Sequence, residues 1–254
     1  MTPLHLLPSR TAGAAENMAV DFLLLQRYPV PVPRFRHYDW RSAAFTFGFG
    51  QKIEFVRANL PVGEPLDLCR RPTGGGIVDH RDDWTYALVL PRGHALYDER
   101  AAQSYRVVHD CLATAMRSLG EPAELKLVCD PAAPCASDSA GDPSGGIARN
   151  PAPAALPGIC FQRAELHDVI NRDTGRKIAG AAQKRNKHGL LFQGSIEKSS
   201  VRPVDWDEFQ IRFTAALARA LVADAVETPW PDLNEDEVTG LIGQYSDPQW
   251  IECR

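Results

Sequence analysis

The sequence predicts an α+β fold. Strand-like and helix-like runs are mixed along the chain without the strict βαβ alternation of a doubly wound parallel sheet. At 44% hydrophobic and 24% charged residues, the chain can bury a sizeable core. Its 254 residues suit one large domain better than two full ones, and no internal repeat is visible.

The segment AENMAVDFLLLQRYP predicts the first helix, with Met18, Phe22 and Leu25 on one face and Pro29 as its stop. AFTFGFG, residues 44–50, alternates and reads as a strand with Phe45, Phe47 and Phe49 on one side. WTYALVLP, residues 84–91, is apolar at nearly every position and reads as a strand covered on both faces. Residues 99–119 carry Ala101, Tyr105, Val108, Leu112, Ala115 and Leu119 at helical spacing, with Gly120 as a C-terminal cap. Residues 130–158 contain six prolines and no periodicity, and read as a flexible insertion within a single domain spanning 1–254. Two helices close the chain. One runs over 205–222, with Asp205 and Glu208 in capping-box spacing and Trp206, Phe209, Phe213 and Leu217 inward. The other starts near Asn234, again with an acidic residue, Glu237, three places on, and carries Val238, Leu241, Ile242 and Tyr245.

The net charge of -4 gives no reason to expect nucleic acid or an anionic membrane as partner. No apolar run approaches the roughly 18 residues of a membrane span. The N-terminal MTPLHLLPSR, broken by Pro3 and Pro8, does not read as a secretory signal. The six cysteines form no C-x-x-C pair, which argues against a structural zinc site and predicts free thiols in a cytoplasmic protein.

Two stretches carry residue types suited to chemistry. RRPTGGGIVDH, residues 70–80, places Arg70 and Arg71 before Gly74, Gly75 and Gly76, with His80 after them. Consecutive glycines cost backbone entropy, and they let the backbone approach a ligand closely. No Gly-Lys-Ser/Thr and no G-x-G-x-x-G follows, so neither a P-loop nor a dinucleotide fingerprint is present. A tight hairpin carrying a solvated arginine pair is the alternative reading, and His80 alone suits a structural role as well as a catalytic one. In the second stretch, Lys177 precedes Ile178, Ala179, Gly180, Ala181 and Ala182, small residues that leave room for a ligand beside an ammonium. In this setting removal of Lys177 is expected to affect rate while leaving stability nearly unchanged. Cys160, at the end of the proline-rich segment, is either a reachable nucleophile or an ordinary buried thiol beside Phe161.

Together these segments resemble the lipoate–protein ligase and octanoyl transferase family. AENMAVD resembles its N-terminal helix, and the aromatic strand ending in GFGQ its second block. RRPTGGGIVDH resembles the R-R-x-x-G-G-G/R-x-V-x-H signature, and RKIAGAAQKRNKHGLLFQGSI the lysine signature. LIGQYSDPQWI resembles the closing helix. The resemblance implies a mixed β-sheet core flanked by helices, related to biotin protein ligases and class II aminoacyl-tRNA synthetases. It implies an octanoyl or lipoyl substrate and a lipoyl domain as acceptor. It places the acyl site at Arg71, Gly74, Gly75, Gly76, His80, Gly180, Ala182 and Gln193, with Lys177 at the acyl carbonyl.

The C-F pair at Cys160 and Phe161, 17 residues before Lys177, resembles the segment that carries the thiol in cysteine-type transferases. The SYRVVHDCL helix also looks closer to that branch, and the chain closing soon after QYSDPQWI is read as lacking a C-terminal accessory domain. This branch implies an acyl carrier protein or lipoylated carrier protein as donor, a Cys160 thioester and no required cofactor. The ligase alternative implies ATP, Mg and a dispensable Cys160; a third reading is a non-catalytic acyl-binding homologue. Gln193 departs from the histidine usual before G-S-I in the family.

Overall fold

The computed structural model describes residues 2–128 and 163–253. In chain order its elements are β1 (Thr2–Ala12), α1 (Ala14–Gln26), β2 (Arg34–Trp40), β3 (Ala44–Phe47), α2 (Ile53–Ala58), β4 (Asp67–Arg70), β5 (Ile77–Asp79), β6 (Asp83–Pro91), α3 (Ala95–Asp98), α4 (Ala101–Ser118) and β7 (Ala123–Leu125). There follow β8 (Val169–Asn171), β9 (Lys177–Asn186), β10 (Gly189–Glu197), α5 (Trp206–Ala220), β11 (Ala223–Glu227), α6 (Glu235–Ser246) and α7 (Pro248–Ile251). Eight strands form one mixed sheet in the order β11-β1-β2-β6-β10-β9-β8-β7, and β4-β3-β5 form a second, smaller one. This is the mixed sheet flanked by helices that the sequence predicts.

β6 is the run predicted over 84–91. It lies between β2 and β10, and all its residues are buried, which explains why it lacks alternation. On one face, Trp84, Tyr86, Leu88 and Leu90 of β6 and Phe192 and Ile196 of β10 pack against α4 and α5 through Val108, Leu112, Phe209 and Phe213. On the other face, Ala87, Val89 and Leu191 pack against Val20, Leu24 and Leu25 of α1. A further cluster joins Ala14, Met18 and Ala19 of α1 to Tyr245 of α6 and Cys69 of β4. The caps are as predicted: the Asp205 side chain accepts from Asp207 and Glu208 N–H, and Asn234 from Glu237 N–H. Gly120 adopts φ +89° just beyond α4.

Several expectations change. The first helix ends at Gln26, three residues before Pro29. It is buried around much of its circumference because the large sheet and α6 cover different sides, so Leu23 and Leu24 are buried while Phe22 is only half-buried. The aromatic strand stops at Phe47; Phe49 lies beyond it, against the Trp250 ring at 5.7 Å. The helix over 99–119 begins at Ala101, which is exposed, after the separate short turn α3. The N-terminal segment is an 11-residue strand, β1, and the register shift between Leu7 and Arg10 falls at Pro8. A proline is tolerated at such an irregularity because no ladder donor is needed there. The predicted insertion at 130–158 lies outside the described residues. Among the described residues no helix is long and apolar enough to cross a membrane.

Candidate active site

Strand register builds the floor of a cavity. Two rows run across β2, β6, β10 and β9: Tyr38, Thr85, Ser195 and Gly180 in one, and Arg36, Ala87, Gln193 and Ala182 in the next. Directly paired residues project to the same face of a sheet. Both rows therefore face α1 and the small sheet. Met18 of α1, Trp40, Thr46, Val78, His80 and, from the glycine loop, Arg71 and Gly75 complete the lining. The space measures about 420 Å³, part of it open to solvent.

The glycine loop, between β4 and β5, is shaped from behind by the two arginines. Arg71 Nη1 donates to Thr46 Oγ1 at 2.8 Å, and its Nη2 donates to the carbonyls of Gly74 and Gly76, each at 2.9 Å. Arg70 is fully buried. It donates to the Phe49 and Gln51 carbonyls and to those of Trp250 and Ile251 at the end of α7. The solvated arginine pair is therefore overturned: both guanidiniums are buried donors to backbone carbonyls. Of the three glycines, Gly75 has the conformation that demands glycine, φ +91°, and Gln51 Nε2 donates to its carbonyl at 3.1 Å.

His80 is buried in a polar relay. Its Nε2 lies 2.7 Å from Thr46 Oγ1, and its Nδ1 lies 2.7 Å from Asp83 Oδ2. The acceptor-only carboxylate places the proton on Nδ1. Asp83 also accepts from Thr85 Oγ1 at 2.8 Å and from Ser195 Oγ, and Trp40 stacks on the His80 ring at 4.0 Å. Burial raises the Asp83 carboxyl, but the charge and hydrogen bond of His80, with the Ser195 and Thr85 hydroxyls, leave it below its usual range.

Lys177 opens β9 and is buried. Its Nζ is 2.7 Å from Asp168 Oδ2, and the side chain curls over Gly180, where a β-carbon would stand 2.6 Å from Nζ and 2.7 Å from Cε. The small residue beside the lysine thus makes room first for the lysine itself. An ammonium held there can donate to a carbonyl oxygen entering over Gly180 and stabilise the negative charge that develops on it.

Gln193 links two sides of the cavity. Its Nε2 donates to Asp21 Oδ2 at 2.6 Å, and its Oε1 accepts from Thr73 Oγ1 at 2.7 Å. Asp21 is in turn paired with Arg36 at 2.7 Å, and both are buried.

Of the residues singled out in the sequence, Arg71, Gly75, His80, Gly180, Ala182 and Gln193 line one cavity, with Lys177 against Gly180. Gly74 and Gly76 are not part of that lining; they give their carbonyls to Arg71. Cys160 lies outside the described residues, as do Cys129 and Cys135. Burial pushes the Cys69 thiol up, and the Cys111 thiol up to about 12, so both stay protonated. Among the described residues no group of three or more His, Cys, Asp or Glu is placed to hold a metal ion. Sequence reasoning missed Asp168, Asp83, Ser195, Asp21 and Thr73. For Asp83 a signal existed, three places after His80; Asp168 reaches Lys177 only through the β8–β9 pairing.

A family model described as the lipoyl protein ligase A/B catalytic domain matches residues 13–200. The chain is 29% identical over 211 residues to octanoyltransferase LipM of Exiguobacterium sp., covering 82% of this chain and 70% of that one. It is 29% identical over 235 residues to octanoyltransferase LipM of Macrococcus caseolyticus, covering 88% and 76%. Its fold is similar to that of a bipartite lipoate protein ligase of Thermoplasma acidophilum, with a TM-score of 0.70 at 18% identity, covering 100% of this chain and 98% of that one.

Proposed function

The chain belongs to the family of lipoyl protein ligase A/B catalytic domains, and on that premise we propose that it is an acyltransferase of protein lipoylation, moving an octanoyl or lipoyl group to the acceptor lysine of a lipoyl domain. The observation that carries this reading is the buried Lys177, held by Asp168 over Gly180, which itself lines a cavity with the apolar residues Met18, Trp40, Val78 and Ala182. Relatives that carry out octanoyl transfer by name support octanoyl as the group moved.

In this reading the donor is a carrier-protein thioester. The Cys160 thiolate attacks its carbonyl, and the C–S bond to the carrier breaks. The carrier thiolate leaves and takes up a proton, and the octanoyl group is now a Cys160 thioester. Lys177 donates to the carbonyl oxygen while the tetrahedral centre carries its negative charge. The acceptor lysine amine then attacks the same carbonyl, loses a proton and expels the Cys160 thiolate. Thioester becomes amide, which drives the sequence forward, and no ATP enters the balance. A cytoplasmic location belongs to the same reading.

The test is mass spectrometry of a lipoyl domain after incubation with this protein. One sample receives octanoyl carrier protein, the other octanoate with ATP and magnesium. Modification in the first alone, abolished in Cys160→Ala, is the expected result. Modification in the second alone, insensitive to Cys160, makes the protein a ligase. Saturable octanoate binding without product makes it an acyl-binding protein.

A further inference from the structure

The Asp168–Lys177 pair depends on a backbone conformation that the chain does not adopt readily. His167, immediately before Asp168, has φ +68°. The left-handed region is disfavoured for a non-glycine residue, and such a residue persists where its surroundings over-determine it. Here they do. The His167 N–H donates to the Lys126 carbonyl at 2.8 Å, and the Lys126 N–H donates to the Asp168 carbonyl at 2.9 Å. Glu165 N–H donates to Asp168 Oδ2 at 2.7 Å, the oxygen that also meets Lys177. From the helix layer, His109 of α4 places its Nδ1 2.6 Å from the His167 carbonyl.

A carbonyl only accepts, so the proton is on Nδ1. His109 is fully buried, and its Nε2 meets no hydrogen-bond partner among the described residues. The ring is also anchored on its flank: Tyr105 of the same helix approaches it edge-on at 5.3 Å and donates its hydroxyl to the Ala181 carbonyl of β9. His109 is therefore aimed at the peptide joining His167 to Asp168, whose rotation would swing the Asp168 carboxylate away from Lys177. Burial lowers the pKa of His109, against the opposing pull of Asp168, which favours the neutral ring that the Nδ1 bond to the His167 carbonyl already indicates.

We propose that His109 is a positioning residue for Lys177, acting through the His167 peptide and Asp168. The role in turnover rests on the transferase reading; the role in holding the lysine does not. Losing the His109 bond frees the His167 peptide to relax toward ordinary φ, and the Asp168–Lys177 geometry loosens with it. Misplacement of a reacting group by about 1 Å can cost up to roughly 10²-fold in rate without changing what binds.

The experiment compares wild type with His109→Leu and His109→Asn in two measurements. The first is octanoyl transfer, resolved into kcat and KM for the donor. The second is the rate at which Lys177 reacts with a small water-soluble acylating reagent in the absence of substrate, read by peptide mass spectrometry. His109→Leu should lower kcat by about 10- to 100-fold, leave KM within about twofold and speed Lys177 labelling. His109→Asn, whose amide N–H can reach the same carbonyl, should restore most of kcat and slow labelling again. A leucine variant that merely loses thermal stability, with kcat and labelling as in wild type, overturns the proposal. Should the leucine variant fail to fold, His109→Gln, which shifts the donor by one methylene, carries both measurements. If wild type transfers nothing, the transferase reading fails, and the labelling rates alone still decide the role of His109.

Discussion

The Lys177 ammonium occupies the space that a side chain on Gly180 would need. A β-carbon there would stand 2.6 Å from Nζ and 3.1 Å from Asp168 Oδ1, so the residue three places along the strand is part of the lysine's seat.

Gly180→Ala should therefore behave as a lysine variant in activity, and should cost less stability than removing the lysine, because the shifted ammonium is still present to partner Asp168. The new methyl displaces the flexible end of Lys177 while the strand itself stands. Transfer should fall by roughly 10²-fold, the scale of a lost oxyanion donor. Ala179→Gly, on the opposite face of β9, is the control. Steady-state rates for the two variants check this, and a Gly180→Ala enzyme with wild-type kcat would show that the lysine does not work from this position.

Lys177 and Asp168 should separate stability from chemistry when changed together. The pair is buried on both sides, so the expectation that removing the lysine leaves stability unchanged no longer holds. Lys177→Met leaves Asp168 buried without its partner and should cost about 3–5 kcal/mol. Adding Asp168→Asn removes the stranded charge and should recover most of that loss in urea titrations. Transfer should stay down by 10²–10³-fold in both. Recovery of transfer by the double variant would rule out Lys177 as the carbonyl donor.

The pattern of what the sequence revealed follows from how local each feature is. The glycine loop and the start of β9 were legible because Arg71, Gly75 and His80, or Lys177 and Gly180, lie within one short stretch. β6 and α4 were legible because their apolar patterns extend over a whole element. β1 was not, because Pro3 and Pro8 disguise a strand whose partners, β2 and β11, are joined to it by long-range parallel pairing. Nor could the burial of Arg70 be read locally: its carbonyl partners Trp250 and Ile251 stand 180 and 181 residues away. The Gln193 bridge likewise joins residues 120 and 172 apart in sequence.

Asp83 should set part of the acid stability. Its carboxyl is held below its usual range in the fold, so the unfolded chain binds the proton more readily. The stabilisation is present above the unfolded value, about pH 4, and is lost as pH falls through the lowered folded value. Asp83→Asn should flatten the decline in melting temperature below about pH 4 and should cost about 1–3 kcal/mol near neutrality through weakened bonds to His80, Ser195 and Thr85. Melting curves between pH 2.5 and 7, taken in buffers of matched ionic strength, check both parts. A variant whose decline parallels wild type would mean that Asp83 carries no linked proton.

Gln193 should give the opposite pH signature when it acquires a charge. Its amide is divided between two neighbours, donating to Asp21 and accepting from Thr73. Gln193→Glu has nearly the same shape, but at neutral pH it would set a second carboxylate against Asp21 in a buried site. One of two such carboxyls must keep its proton, which raises the pKa of the introduced group. Sign follows from that direction: the stability of the variant is present below the unfolded glutamate value, about pH 4.3, and is lost as pH rises through the raised folded value. Near neutrality the loss relative to wild type should reach about 3–5 kcal/mol, the cost of an uncompensated buried charge. Gln193→Leu, which strands the Thr73 hydroxyl and removes one bond to Asp21, should cost about 1–3 kcal/mol with no such pH dependence. Urea titrations at pH 4.5, 6 and 7.5 separate the two, and a Gln193→Glu variant equally stable at all three would mean that the Asp21–Gln193–Thr73 bridge is not the closed, charge-sensitive contact its distances describe.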